Sequence, residues 1–153
     1  MQPRGTPGFT LIELLIAVVI IGILLALALP NYLTTVTKAA RSDGQSLLMQ
    51  VVQSEERYFT ENLTYTSGLA NMGYVADPAV SAQKYYQVAI LTPAAAAVVL
   101  GSACPISTCF VAVATPQGRQ ASDGRLAIAS NGQKYFDRNN NGSYADANEN
   151  NWD

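Results

Sequence analysis

The feature that most constrains this chain is an uninterrupted apolar segment near its amino terminus. Phe9 to Leu29 is a run of 21 residues whose only charged side chain is Glu13. At about 1.5 Å per helical residue, the run reaches roughly 31 Å, close to the hydrocarbon thickness of a bilayer. A secretory signal peptide has a shorter apolar region and a small-residue cleavage site, which Pro30-Asn31-Tyr32 does not offer. The segment is therefore predicted to span a membrane.

Composition argues against several classes of function. The 153 residues include 9 Lys and Arg, 11 Asp and Glu and no His, and 13% are charged, about half the roughly 25% usual for soluble domains. The missing histidines exclude Ser-His and Cys-His catalysis and His metal sites. No G-x-S-x-G, G-x-x-x-x-G-K or H-E-x-x-H motif occurs. The net charge of -2 argues against a nucleic-acid binder held by phosphate neutralisation. We predict a non-enzyme without a small-molecule substrate.

The residues around Gly8 resemble the processing site of type IV prepilins. A short leader carrying Arg4 ends at Gly8, Phe9 follows, and Glu13 is the fifth residue after the junction. The resemblance implies that a prepilin peptidase removes residues 1–8 by cutting between Gly8 and Phe9, and methylates the new Phe9 amine. It also implies a location in the bacterial inner membrane before assembly and in an extracellular pilus afterwards, with the head on the periplasmic or extracellular side.

The match to prepilins continues to the end of the apolar segment. Gly22 and Pro30 stand where pilins have their helix-softening Gly and Pro, and Tyr32 completes their Pro-x-Tyr exit. A carboxylate such as Glu13 costs about 2.5 to 3.5 kcal/mol near the middle of a membrane helix, so it needs a partner or headgroup solvation at the interface. We assign Glu13 an assembly role, in which it pairs with the Phe9 amine of its own chain or of a neighbour.

The remainder of the chain divides into an amphipathic helix and a head. Apolar residues at Val36, Ala40, Leu47, Val51 and Tyr58 follow helical spacing. One helix is predicted from Phe9 to Glu61, with residues 9–29 as the transmembrane or filament-core part and residues 30–61 as an amphipathic continuation. Residues 62–153 form the extracytoplasmic head with an Asn-rich carboxyl-terminal tail.

Short β-type runs predict the sheet of the head. They lie at Tyr85–Leu91, Ala97–Leu100, Phe110–Ala114, Arg125–Ala129 and Gln133–Phe136. Asn131-Gly132 between the last two favours a type I′ hairpin turn. The fold class is α+β: a long amino-terminal helix packed on a small antiparallel sheet of about four strands, as in type IV pilins.

Further segments of the head resemble minor pilins of the PilE type. They are Arg57–Tyr65, Thr115–Gly118, Ala121–Gly124 and the close at Trp152. The resemblance implies a structural pilus subunit that takes part in pilus assembly, and so in twitching motility, adhesion or DNA uptake. Its implied partners are other pilin subunits through the amino-terminal helix, the prepilin peptidase and the inner-membrane assembly platform. A type II secretion pseudopilin and a pilin-like DNA-binding receptor are the alternatives, although nucleic-acid binding is not expected from the charge.

Cys104 and Cys109 are the only cysteines, in a C-x4-C spacing. An even count in an exported domain favours a disulfide, which is worth about 2 kcal/mol for so short a loop. Two unpaired thiols are the alternative.

The tail contains the one candidate cation site. Asp137, Asn139 and Asn141 followed by Gly142 fit the first half of a calcium loop, but Asn148 replaces the bidentate Glu at position twelve. A polar turn that closes a strand is the favoured interpretation. Type II secretion pseudopilins hold calcium near this end, so calcium is kept as a weak hypothesis and no other cofactor is expected.

Overall fold

The computed structural model describes residues 8–144, 146 and 148–152, and residues 1–7 of the expected leader lie outside this part of the chain. Two α-helices, α1 (Leu11–Asn62) and α2 (Pro93–Leu100), accompany the 3-10 turns Leu69–Met72 and Gly118–Gln120. The strands are β1 (Ala79–Val80), β2 (Tyr86–Ile90), β3 (Val111–Pro116), β4 (Leu126–Ala129) and β5 (Lys134–Phe136). The chain forms two compact units, with the boundary between Val36 and Thr37.

The first unit is the amino-terminal part of α1. Its large apolar side chains, from Phe9 to Leu33, are all between 52% and 84% exposed. By length and composition this helix is able to cross a membrane. A helix that is apolar on all sides is unfavourable in water, so these side chains require cover from lipid or from other protein surfaces.

The second unit is built on a five-stranded antiparallel sheet whose order follows the chain, β1-β2-β3-β4-β5. Tyr86 pairs with Pro116 between β2 and β3, and Leu126 pairs with Phe136 between β4 and β5. The carboxyl-terminal half of α1 packs Leu47, Leu48 and Val51 into the core formed by one sheet face. This arrangement confirms the predicted α+β pilin-like fold.

The opposite sheet face carries a second apolar cluster. Val111, Val113, Ala127 and Ala129 point to this side and pack with Ala96 of α2 and with Tyr135 and Tyr144. Alternate residues of β3 and β4 therefore enter one cluster or the other, and these central strands are buried on both faces.

The carboxyl-terminal tail returns to the sheet. Trp152 is buried in the first cluster, its indole N–H donates to the Ala127 carbonyl at 3.0 Å, and the Lys134 ammonium lies 4.6 Å from the ring centroid. The Phe136 N–H donates to the Glu149 carbonyl at 2.9 Å. The tail is thus part of the folded head.

One predicted strand is wrong. Ala97–Leu100 belongs to α2, because Pro93 starts the helix, four consecutive alanines have the highest helix propensity, and Thr92 caps the amino end by accepting the Ala95 N–H. Gly101, with φ of 67°, ends it in the left-handed conformation. The other four predicted strands form, while the short β1 was not predicted.

The β4–β5 hairpin forms, but not through the predicted type I′ turn. That turn needs positive φ at both central residues, whereas only Gly132 has it, at 82°. Asn131 instead accepts the Gln133 N–H with its side-chain oxygen at 2.9 Å, as asparagine does in tight turns.

Candidate functional site: the assembly helix and the surface of the head

The start of α1 brings together the residues expected at the processing junction. Gly8 and Phe9 are exposed and immediately precede the helix. Thr10 caps it, since its hydroxyl accepts the Glu13 N–H at 3.3 Å and its carbonyl accepts the Leu14 N–H at 3.2 Å. Gly8 and Phe9 thus lie on the exposed chain that leads into α1, and their processing stays a prediction.

Glu13 occupies the third position of the helix, three residues after the cap. Thr-x-x-Glu is the capping-box spacing, and the partial positive charge of a helix amino terminus favours a carboxylate there. The Thr10 cap and the place of Glu13 in the first turn were not predicted, although the Thr-x-x-Glu spacing was present in the sequence. The carboxylate is exposed on the surface of the helix.

Gly22 and Pro30 both lie within α1, which is assigned as helix from Leu11 to Asn62. A Cβ added at Gly22 would meet nothing within 4 Å. Their softening role in a filament stays a prediction. The structure therefore places the five expected assembly residues on one segment, and the cysteines and the Asn-rich tail in the other unit.

Cys104 and Cys109 form the predicted disulfide, with their Cα atoms 5.0 Å apart. The bridge lies in the loop that joins α2 to β3. The same loop holds the segment that follows α1, because the Ile106 carbonyl accepts the Tyr65 N–H at 3.0 Å. The disulfide thus closes a loop that ties the end of α1 to the sheet.

The candidate cation loop uses its carboxylates for hydrogen bonds within the protein. Asp137 is fully buried, and its two oxygens accept the N–H groups of Asn141 and Gly142, each at 2.9 Å. The side-chain amides of Asn139 and Asn141 donate to Asp146 at 2.8 Å. Within the described ranges, no three or more His, Cys, Asp or Glu side chains form a group able to hold a metal ion.

A buried carboxylate near the end of α1 was not foreseen. Glu55 has an exposed fraction of 0%; its Oε2 accepts the Thr66 N–H at 3.1 Å, and its Oε1 has no partner among the described residues. Burial raises the pKa of Glu55 to about 7, and the hydrogen bond from Thr66 opposes this rise. The negative charge of the neighbouring Glu56 raises the pKa further by a smaller amount. Glu55 is the first of two adjacent glutamates in a polar stretch of the helix, so the sequence gave no signal that it is buried.

A small basic and aromatic patch lies at one end of the sheet. The Arg119 guanidinium lies 4.8 Å from the Tyr85 ring centroid and also donates to its hydroxyl. Lys84 is exposed beside Tyr85, and the Gln117 N–H donates to the Tyr85 carbonyl at 2.7 Å, which holds the two loops together. The Asp43 carboxylate accepts the N–H groups of Gln83 and Tyr85 behind the patch. Arg119 therefore contacts the Tyr85 ring directly, and Lys84 adds an exposed cation next to Tyr85 in the chain.

The long helix, the antiparallel sheet and the processing junction define the type IV pilin class. Two family comparisons agree with this: residues 4–29 match the prokaryotic N-terminal methylation motif, and residues 30–127 match the family described as type IV minor pilin ComP, DNA uptake sequence receptor. The chain belongs to this family of type IV minor pilins.

Curated relatives include both pilins and a secretion protein. The chain is 34% identical over 76 residues to the type IV major pilin protein PilA of Myxococcus xanthus, covering 50% of this chain and 34% of the relative. It is 39% identical over 79 residues to the type IV wide pilus major component PilA4 of Thermus thermophilus, covering 50% and 60%. The match to the type II secretion system core protein G of Pseudomonas aeruginosa is 34% over 67 residues, covering 44% and 47%. The chain thus spans about a third to three fifths of these relatives.

Proposed function

We propose that this protein is a structural subunit of a type IV pilus, with the role of a minor pilin in pilus assembly. The observation that carries the proposal is the outward exposure of every large apolar side chain from Phe9 to Leu33. Lipid covers this surface before assembly, and the helices of other pilin subunits cover it in the filament core. Membership in the minor pilin family and the matched methylation motif support the same role.

The processing step is part of this proposal, and the matched methylation motif supports it. A prepilin peptidase cuts between Gly8 and Phe9 and methylates the Phe9 amine, which remains basic. The inner-membrane assembly platform then receives a subunit whose helix starts at the new terminus. Before assembly the head lies on the periplasmic side of the inner membrane, and after assembly it lies on the outer surface of the pilus.

In the filament, α1 must fit a crowded core. Pro30 lacks the N–H that would bond to the Ala26 carbonyl, and Gly22 lowers helix propensity, so the segment between them is the weakest part of the helix. We propose that this segment melts locally when the subunit leaves the membrane. Continuous helical density through Pro30 in a filament reconstruction would contradict this step.

Isolation of sheared pili tests the proposed role. The protein should be recovered in the pilus fraction with methylated Phe9 at its amino terminus, and immunogold labelling should place it on fibres. An intact Met1 would contradict the proposal. Deletion should impair piliation while leaving secretion of exoproteins unchanged; the reverse phenotype would favour the pseudopilin alternative that the similarity to core protein G represents.

DNA binding is a second candidate function, favoured by the family description and by the patch of Lys84, Tyr85 and Arg119. Cations neutralise phosphates and an aromatic ring stacks on bases, so one surface that holds both suits a nucleic acid. The overall charge of the protein is negative, which restricts any such contact to a local patch. Under this proposal the pilus subunit also serves as a DNA receptor.

Binding of the full chain in detergent micelles to labelled duplex DNA, measured over a range of salt concentrations, tests this function. Substitution of Lys84 and Arg119 by Ala should weaken binding and reduce the slope of log K against log salt by about 1 per lost phosphate contact. Arg57→Ala is the matched control, because Arg57 is an exposed cation outside the patch. If Arg57→Ala weakened DNA binding as much as the substitution of Lys84 and Arg119, or if the protein bound no DNA at low salt, the patch would be excluded as a DNA-binding site.

A further inference from the structure

Helix α2 is an apolar helix on the outer surface of the head. All eight of its residues are apolar, yet only Ala96 is fully covered, and Val98 is 83% exposed. Thr92 caps the amino end of α2 and Gly101 ends it in the left-handed conformation. The exposed helix is therefore a regular element of the fold. Val99 and Leu100 pack partly against the second cluster, so the uncovered apolar surface of α2 centres on Val98.

A cavity of about 250 Å³ opens between α2 and the sheet. Ala95, Val98 and Val99 of α2 form one wall, and Val113 of β3 belongs to another. Arg125, which precedes β4, and Tyr144 of the tail also line it. The cavity therefore combines apolar walls with two polar groups.

The two polar groups differ in exposure, and neither has a side-chain partner among the described residues. The exposed Arg125 guanidinium makes no ion pair or side-chain hydrogen bond with any residue in the described part of the chain. Tyr144 has an exposed fraction of only 7%, and its hydroxyl has no partner within the same residues. A buried polar group without a partner costs about 1 to 3 kcal/mol, and a carboxylate is the acceptor that an arginine fork fits best.

We propose that this cavity and the exposed side of α2 form a docking surface for a neighbouring pilin head that presents an apolar side chain next to a carboxylate. The apolar side chain enters between α2 and Val113, and the carboxylate pairs with the exposed Arg125 guanidinium at the edge. This inference rests on the proposed function, since assembly in a pilus places heads side by side.

A protein surface fits these observations better than a small ligand. The cavity is smaller than the roughly 300 to 1,000 Å³ of sites that enclose small molecules. A compound inside it would also leave Val98 uncovered, whereas a neighbouring head would bury both Val98 and the cavity. The unpaired guanidinium specifies the sign of the partner's charge and so its register.

Photo-crosslinking in pilus-forming cells tests the proposal. A p-benzoylphenylalanine residue replaces Val98 in the full chain, and Val75, an exposed apolar residue that does not line the cavity, carries the control probe. Mass spectrometry of sheared pili should show a Val98 adduct with a pilin head at a peptide that has an apolar residue beside Asp or Glu. Arg125→Glu should reduce this adduct about tenfold or more, and Arg125→Lys, which keeps the charge, should retain most of it.

Each other outcome has a defined meaning. An incorporated subunit without a Val98 adduct, an adduct insensitive to Arg125→Glu, or an adduct to a protein that is not a pilin would overturn the docking proposal. Absence of the protein from pili would contradict the proposed function. In that case a Val98 adduct with a pilin in the membrane fraction would still support the docking proposal. Absence of the adduct from the membrane fraction as well would contradict both the proposed function and the docking proposal. Near-UV circular dichroism of the purified Arg125 variants confirms that they are folded.

Discussion

Arg41 of α1 and Asp123, 82 residues further along the chain, form a two-pronged ion pair. Nε and Nη2 of Arg41 donate to the two carboxylate oxygens of Asp123, each at 2.7 Å. The Tyr86 hydroxyl and the Gln120 side-chain amide donate to the same carboxylate at 2.9 Å. Burial by itself would raise the pKa of Asp123, but the bonds from Arg41, Tyr86 and Gln120 hold that pKa below its usual range.

Arg41→Met should strongly destabilise the head, because it leaves the buried Asp123 charge without its cation. Loss of one partner of a buried pair costs about 3 to 5 kcal/mol. Denaturant unfolding of the full chain in mild detergent, followed by near-UV circular dichroism, measures the change. Arg57→Met, at an exposed site, is the control; an effect no larger than that of the control would show that the pair contributes little.

Gly44→Ala should destabilise the protein although alanine is the better helix former. A Cβ at Gly44 would lie 2.7 Å from Cγ of Tyr86, and the bond from Tyr86 to Asp123 keeps this ring in place. Overpacking costs about 1 to 3 kcal/mol, more than the roughly 1 kcal/mol gained in propensity. Gly22→Ala has open space around it and should leave the unfolding midpoint of the head unchanged; equal midpoints for both variants would refute the clash.

Stability should fall as the pH rises from about 4.5 to above 7, because of Glu55. Its pKa is raised to about 7 from the ordinary 4.5, so the folded state binds more protons than the unfolded chain in this interval. The stabilising contribution is therefore complete below about pH 4.5 and is lost as the pH passes 7, by up to about 3 kcal/mol. Asp123, with its lowered pKa, acts in the opposite sense in more acidic solution.

Glu55→Gln should flatten this pH dependence, since an amide stays neutral and can still accept the Thr66 N–H. Unfolding free energies at several pH values between 4 and 8 give the comparison. Glu61→Gln is the matched control, because Glu61 is an exposed glutamate on the same helix. If the unfolding free energy of the Glu55→Gln protein fell with pH as steeply as that of the wild type, the pH dependence would belong to other titratable groups.

Glu13→Val should leave the protein processed and inserted in the membrane but poorly incorporated into sheared pili. A buried Glu13 gains little net stability when paired with a Phe9 amine and costs several kcal/mol when unpaired, so the pair sets the depth at which a subunit docks. Quantitative blots of the pilus and membrane fractions report the partition. Glu61→Val makes the same change on the exposed carboxyl-terminal end of α1, and wild-type incorporation of both variants would remove the assembly role.

Excess chelator should leave the melting temperature unchanged, because the oxygens of Asp137 already accept the N–H groups of Asn141 and Gly142. Asp137→Ala should lower it equally with calcium or with chelator, as expected for two N–H groups that lose their buried acceptor. Differential scanning calorimetry of the full chain provides the measurement. A rise in melting temperature on addition of calcium would instead establish a cation site in the tail.

The sequence was informative where a feature depends on neighbouring residues. The apolar segment, the apolar positions at helical spacing along α1 and four of the strands follow from local periodicity. The two cysteines of a short loop can pair only with each other in a monomer. Helix α2 was also within reach, since Thr92, Pro93 and Gly101 are helix start and stop signals that a strand assignment ignored. The prediction failed there because a short apolar run fits either element.

Features that depend on distant residues could not be predicted. Arg41 and Asp123 are both ordinary charged residues in the sequence, and only the packing of α1 on the sheet places them in contact. The same holds for Arg125 and Tyr144, which meet at the cavity because the tail crosses the outer sheet face. No local pattern specifies such pairs.

The anchoring of the tail has an optical consequence. Trp152 is the only tryptophan of the protein, and its indole is buried with its N–H on the Ala127 carbonyl and Lys134 above the ring. Its tryptophan fluorescence therefore comes from one site, and in a head that stays folded a shift of emission to longer wavelength would report release of the tail. The molecule carries its own unlabelled probe for whether this last segment stays docked when subunits enter a filament.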